Sequence, residues 1–144
     1  VGQFKLNRGK ENPQMHDPQN VTRIESMYEC FSRGDFDGMM ELVAPNATFE
    51  LKGKSPLAGK YTREKFGTEW KAKIEAYGKG SFQMDVHDVL ASDRHGLVLG
   101  TVTWKLNGKS TQLRTVHVWR IENGVPVAGY EYPRDLYALD ELLK

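Results

Sequence analysis

The sequence predicts an α+β fold, with helices packed on one concave face of a curved antiparallel sheet, and three observations carry that prediction. Apolar residues recur every three or four positions as far as Gly78 and then switch to alternation. Three turn signals, Ser92-Asp93-Arg94-His95-Gly96, Asn107-Gly108 and Glu122-Asn123-Gly124, divide the second half into four strands. Helices first and a meander afterwards is the order of an α+β protein. A chain of 144 residues is one domain by length, large enough to enclose a cavity.

Residues 1–17 are polar and show no period, so they are expected to form a flexible arm, with a single domain over 18–144. Asn20 is the expected N-cap of a first helix that sets Val21, Ile24, Met27, Tyr28 and Phe31 on one side and ends at Gly34. Asp35 caps a second, short helix whose Phe36, Met39, Met40 and Val43 face inward, and Pro45 stops it. Residues 46–52 alternate as a strand, and 53–61, rich in Gly, Pro and Lys, read as loop. Thr62 caps a third helix with Phe66, Trp70, Ile74 and Tyr77 at helical spacing, closed by Gly78 and Gly80. Strands follow over 81–91, 96–106, 110–121 and 125–132, and Asp135 caps a tail helix using Leu136, Leu139, Leu142 and Leu143.

Asn107-Gly108 is a two-residue hairpin signal and therefore fixes a register: Trp104 opposite Thr111, Val102 opposite Leu113, Gly100 opposite Thr115 and Val98 opposite His117. One face then collects Val98, Val102, Trp104, Leu113, Thr115, His117 and Trp119, apolar and aromatic with one histidine set into it. The other carries Leu97, Leu99, Val116 and Val118 among polar residues, with Arg114 and Arg120 outward. The last turn leaves two alternatives. A two-residue loop centred on Asn123-Gly124 pairs His117 with Tyr130 and sends Glu131 to the far face. A three-residue loop ending in a left-handed Gly124 pairs Ile121 with Val125 and keeps Glu131 on the histidine's face.

Bulk properties exclude several classes of function. With 20 basic and 19 acidic residues there is no electrostatic footprint for nucleic acid. One cysteine, Cys30, rules out an internal disulfide framework. No apolar run approaches the roughly 20 residues that cross a bilayer, and the first residues lack the apolar segment of a signal peptide. A cytoplasmic protein without membrane or nucleic-acid partners is expected. Asp85, His87 and Asp88, or Asp93 and His95, offer no third ligand at suitable spacing, so neither a metal nor another cofactor is expected.

The order of elements resembles the nuclear transport factor 2-like superfamily over residues ~20–140. The opening CFSRGDFDGMMELVAPNATFE carries the fold, whereas VHDVLASDRHGLVLGTVTWKLNGKSTQLRTVHVWRIENG followed by EYPRD resembles the SnoaL-like, polyketide cyclase-like branch. That resemblance implies a cone-shaped α+β barrel of cystatin-like type, a curved sheet wrapped around three helices over a deep pocket, pairing as a homodimer through its outer sheet face. It also implies an acid on the last strand near a histidine on the preceding one, positions occupied here by Glu131 and His117, and it favours the three-residue turn. Glutamate stands where the cyclases carry aspartate, and one methylene moves the carboxylate by about 1.5 Å. Ketosteroid isomerase is a negative comparison: its base falls near Leu51 and its tyrosine near Met27, so its design is rejected.

His117 and Glu131 are thus the candidate catalytic pair, a base and a relay of the kind that abstraction α to a carbonyl needs. The bland alternative is a structural hydrogen bond. Trp104, Trp119, Tyr28, Phe49, Leu51, Met27 and Val102 are the candidate walls of a pocket for a small hydrophobic substrate, Tyr28 with its hydroxyl as a candidate oxyanion donor. The expected function is cofactor-free acid/base chemistry of aldol cyclase, isomerase or dehydratase type. A non-catalytic ligand-binding or dimerisation module is the alternative. An epoxide hydrolase-like enzyme, which needs an inward arginine, ranks third.

Overall fold

A computed structural model describes residues 16–106 and 108–144; of the arm expected over 1–17, residues 1–15 lie outside them, while Asp17 is fixed by its backbone N–H donating to Ala91 O at 2.8 Å. The first helix, α1 (Pro18–Ser32), is capped by Asp17, whose carboxylate accepts from the backbone N–H of Gln19 and Asn20 at 3.0 and 3.1 Å. Pro18 suits the first turn because it has no N–H to leave unpaired. Asn20, expected as the cap, lies inside that turn instead. It is buried, and its side-chain amide donates to Ser92 O at 2.9 Å, tying the helix to the turn before the fourth strand. α2 (Phe36–Glu41) begins as expected at Asp35, which accepts from Gly38 N.

Two short strands follow, β1 (Thr48–Leu51) and β2 (Gly59–Thr62). The second lies within the stretch read as loop. It is a four-residue edge strand with only Tyr61 buried, too short to show a period. Thr62 caps the next helix by accepting from Lys65 N. That helix runs from α3 (Arg63–Lys65) through a π-helical segment, Phe66–Trp70, into α4 (Lys71–Gly78). Lys79, in the left-handed region at φ 45°, ends it. The long strands are β3 (Gln83–Ala91), β4 (His95–Leu106), β5 (Lys109–Glu122) and β6 (Val125–Pro133), and α5 (Leu136–Leu142) follows.

The six strands form one curved sheet in the order β2-β1-β6-β5-β4-β3. All pairings are antiparallel except β1 with β6, which run parallel. The crossover is made by everything between β1 and β6 in sequence, so the first strand after the helices joins the last strand of the meander. The β4–β5 register is the one the Asn107-Gly108 signal dictates, with Trp104 opposite Thr111 and Val98 opposite His117.

α1 packs across β3 and β4. Gly96 permits this approach: a Cβ there would lie 2.1 Å from Ile24 Cδ1, and Ile24 and Met27 are fully buried. At the other end, Asp140 of α5 accepts from Lys54 N and Ser55 N at 2.8 and 2.9 Å. The tail helix is thereby fixed over the β1–β2 loop, with Leu57 and Leu139 buried beneath it.

Candidate functional site

The β5–β6 hairpin decides whether the two candidate groups meet. Asn123 and Gly124 both have positive φ, 50° and 76°, and Glu122 pairs with Val125, which is the two-residue type I′ turn. The three-residue loop is therefore overturned. Asparagine and glycine accept the left-handed region more easily than other residues, and the strand twist favours this turn. Yet Glu131 does not go to the far face. Ile121 pairs with Pro126 but Arg120 pairs with Ala128, so Val127 is an extra residue, a β-bulge. The bulge restores the parity that the turn removes, and Glu131 sits directly opposite His117.

A chain of polar contacts runs through the pair. Trp119 Nε1 donates to the Tyr28 hydroxyl at 3.1 Å, and that hydroxyl lies 2.5 Å from His117 Nδ1. An indole N–H can only donate, so the phenol oxygen accepts it. When the phenol proton in turn goes to the imidazole, Nδ1 is the acceptor and the ring N–H faces Glu131 from Nε2. His117 Nε2 is 3.9 Å from Glu131 Oε1, longer than a hydrogen bond, and Thr115 Oγ1 donates to the same carboxylate oxygen at 3.3 Å. Both side chains keep about one-fifth of their surface exposed, 21% and 20%. At 3.9 Å the two groups are too close for a heavy atom to sit between them, so a substrate meets both from the cavity side.

The Tyr28 hydroxyl, the candidate oxyanion donor, sits between the Trp119 indole and the His117 ring. Burial pushes its phenol far above the ordinary tyrosine range, the Trp119 hydrogen bond drawing it down and the Glu131 charge raising it. Above about pH 10 the unfolded chain releases this proton while the folded chain holds it. The unfolded state then binds fewer protons, so this contribution to stability is full below that pH and falls as pH rises, by up to about 1.4 kcal/mol per pH unit. Tyr28→Phe is expected to flatten the alkaline fall in stability, read from urea denaturation at pH 9, 10 and 11. An unchanged slope would contradict the buried, protonated phenol.

The pair lies on the wall of a narrow cavity with about 70 Å³ of free space. Trp104, Trp119, Tyr28, Phe49, Leu51 and Val102 line it. Met27 does not: it is fully buried between α1 and the sheet. One residue turns a helix by about 100°, and Tyr28 takes the cavity side instead. Phe66, Trp70, Leu57, Phe82, Gly129 and Leu139 are lining residues the sequence reading did not assign. The apolar stripe of Phe66, Trp70 and Ile74 was the available signal for the first two; Leu57 in its Gly- and Pro-rich loop had none. Gly129 lies flat under the Trp119 indole, where a Cβ would come within 2.7 Å of the ring.

Among the described residues no arginine lines the cavity; Arg114 and Arg120 are exposed, as expected from their parity. Among the described residues no group of three or more His, Cys, Asp or Glu side chains is placed to hold a metal ion, and no helix is long and apolar enough to cross a membrane.

A family model, the SnoaL-like domain, matches residues 24–127. Among solved structures, Bal32a from a soil-derived mobile gene cassette is 25% identical with a TM-score of 0.79, covering 88% of this chain and 97% of that one. TerC, co-crystallised with polyporic acid, is 21% identical with a TM-score of 0.76, covering 87% and 98%. IdmH of Streptomyces antibioticus, a candidate polyketide cyclase, is 19% identical with a TM-score of 0.68, covering 86% and 98%. At 21% and 19% identity the latter two likenesses speak to the fold alone. No curated protein sequence matches the chain.

Proposed function

Because the chain belongs to the SnoaL-like domain family of the nuclear transport factor 2-like superfamily, we propose that it is a cofactor-free acid/base enzyme acting on a small hydrophobic carbonyl compound. The observation that carries this reading is the opposed pair at the cavity wall: an imidazole whose Nδ1 is occupied by Tyr28, and a carboxylate 3.9 Å from its Nε2. A ketone oxygen would accept from His117 Nε2–H while Glu131 removes the α-proton. The C–H electrons become the C=C bond of an enolate whose oxygen stays on the imidazole donor. With a second carbonyl in the same molecule, the enolate carbon attacks it and closes a ring, the proton returning to the new alkoxide.

Deuterium uptake at the α-carbon of 1-tetralone in heavy water, followed by proton NMR, tests this. Exchange well above the buffer rate is expected. Tight binding without exchange would instead establish a ligand-binding module of the same fold. Nothing among the described lining residues supports the inward arginine that the epoxide hydrolase-like reading needs.

The same reading pairs two copies through the outer sheet face. Leu90, Leu97, Val118 and Tyr130 align across four strands, and Leu99, Val116 and Tyr132 form the next row. Leu90, Leu97, Leu99 and Tyr132 are exposed, an apolar ladder that a partner would cover. Light scattering is expected to give the mass of a dimer, and Leu97→Glu with Leu99→Glu that of a monomer. A monomeric wild type would remove the proposal.

A further inference from the structure

We infer that Phe82 is a specificity-determining residue: its ring is a fixed partition between the cavity and a second hollow behind it, and so limits the length of the carbonyl compound that the site accepts. The cavity holds about 70 Å³ of free space, and a hollow of about 250 Å³ lies between the C-terminal end of α1 and α4. Phe31, Ile74, Phe82 and Met84 line both. Phe36 adds an apolar wall to the hollow, and exposed Lys71, Glu75 and Gln83 open it to water. A ligand that passed from one space into the other would bury a hydrocarbon chain there without leaving the protein.

Three of the four shared residues form a frame. Phe31 belongs to α1 and Ile74 to α4. Met84 belongs to β3, opposite Val102, and its Cε uses the room that Gly100 leaves, since a Cβ there would come within 2.7 Å of it. Phe82 fills the frame from the connection between α4 and β3. Its ring meets Phe31 edge-on at 5.6 Å, Trp70 edge-on at 6.2 Å and Trp104 tilted at 5.2 Å. The connection is itself pinned. Lys79 and Gly80 turn through left-handed backbone, φ 45° and 78°, Ser81 N donates to Gly78 O at 2.8 Å, and Ser81 Oγ accepts from Lys105 N at 2.9 Å. Phe82 is therefore held from β4 as well as from α4, which makes it a wall and not a flap. It stands away from the acid/base pair, because Trp104, which it touches, is six residues along β4 from Val98, the partner of His117. With a carbonyl at His117 and Glu131, the part of the ligand that meets Phe82 is its tail. This deepens the acid/base reading and rests on it for the orientation of the ligand.

The test measures binding of 4′-methylacetophenone and 4′-pentylacetophenone, by quenching of tryptophan fluorescence, to the wild type and to Phe82→Ala, Phe82→Leu and Phe36→Leu. The two ligands share an acetyl head and differ only in the chain that points away from it. The wild type is expected to bind the methyl compound about tenfold more tightly, because the longer chain must displace a packed ring. Phe82→Ala is expected to reverse the order by about tenfold, since the chain then buries its methylene groups in the hollow, and Phe82→Leu to fall between. Phe36→Leu, at a residue that lines the hollow and not the cavity, is expected to keep the wild-type ratio. Equal or tighter binding of the pentyl compound to the wild type, a wild-type ratio in both Phe82 variants, an equal relaxation in Phe36→Leu, or failure of the methyl compound to bind overturns the partition. If Phe82→Ala does not fold, Phe82→Leu decides alone. Deuterium uptake at the acetyl methyl group is followed in the same samples. A length limit in protein that never catalyses exchange would leave the partition standing and remove the acid/base reading, whereas exchange without a length limit would remove the partition alone.

Discussion

Replacing Glu131 with glutamine is expected to slow α-proton exchange of a bound ketone by roughly 10²–10⁴-fold, with little change in melting temperature. Glutamine keeps the length of the side chain and an oxygen to accept from Thr115 Oγ1, which donates to Glu131 at 3.3 Å. Only the basic lone pair facing the imidazole is lost. His117→Ala is expected to abolish exchange as well, but with a stability loss of about 1–3 kcal/mol, because the Tyr28 hydroxyl, 2.5 Å from Nδ1, is left buried without an acceptor. Glu131→Gln is therefore the cleaner experiment. The decay of the α-proton signal of 1-tetralone in heavy water measures it, and a variant that exchanges as fast as wild type would rule Glu131 out as the base.

The second large effect is expected from Gly129→Ala. Its φ lies in an ordinary region, so the glycine is there for space and not for backbone freedom. A methyl group would stand 2.7, 2.8 and 3.0 Å from three carbons of the Trp119 indole. The ring has nowhere to retreat: Trp119 is buried, it meets Phe49 edge-on, and its N–H is bonded to Tyr28. Overpacking of this kind destabilises by about 1–3 kcal/mol, several degrees in melting temperature for a domain of this size. Displacing the indole also breaks its hydrogen bond to the Tyr28 hydroxyl beside His117, so activity is expected to fall along with stability. A variant with wild-type melting temperature and exchange rate would show that the indole is free to move.

Much of this arrangement was legible in the residues. Asn107-Gly108 gave the whole β4–β5 ladder because a two-residue turn and a period of two leave no freedom between them. Asp35 and Thr62 marked helix starts by the chemistry of an N-cap, and the stripe Phe66, Trp70 and Ile74 announced a buried helix face. What escaped has no local signature. Val127 looks like any strand residue, and only its failure to pair with Arg120 makes it a bulge. β2 is too short and too exposed to alternate visibly, and the π-helical turn at Phe66–Trp70 reads as ordinary helix. At α1 two good caps stood three residues apart; Asp17 took the end, and Asn20 was drawn inward by Ser92 O.

Val127 also sets a counting rule for this hairpin. Directly opposed residues at the positions of His117 and Glu131 are separated by 131 − 117 = 14 in sequence. In an unbulged strand with the same turn, the residue facing His117 would be Tyr130, a separation of 130 − 117 = 13. A homologue that smooths the strand therefore keeps the pair together only by deleting one residue between them. One that smooths it while keeping fourteen carries the carboxylate out of the cavity to the opposite side of the sheet. Turn, bulge and length in this short interval together decide whether the histidine and the glutamate act on the same molecule.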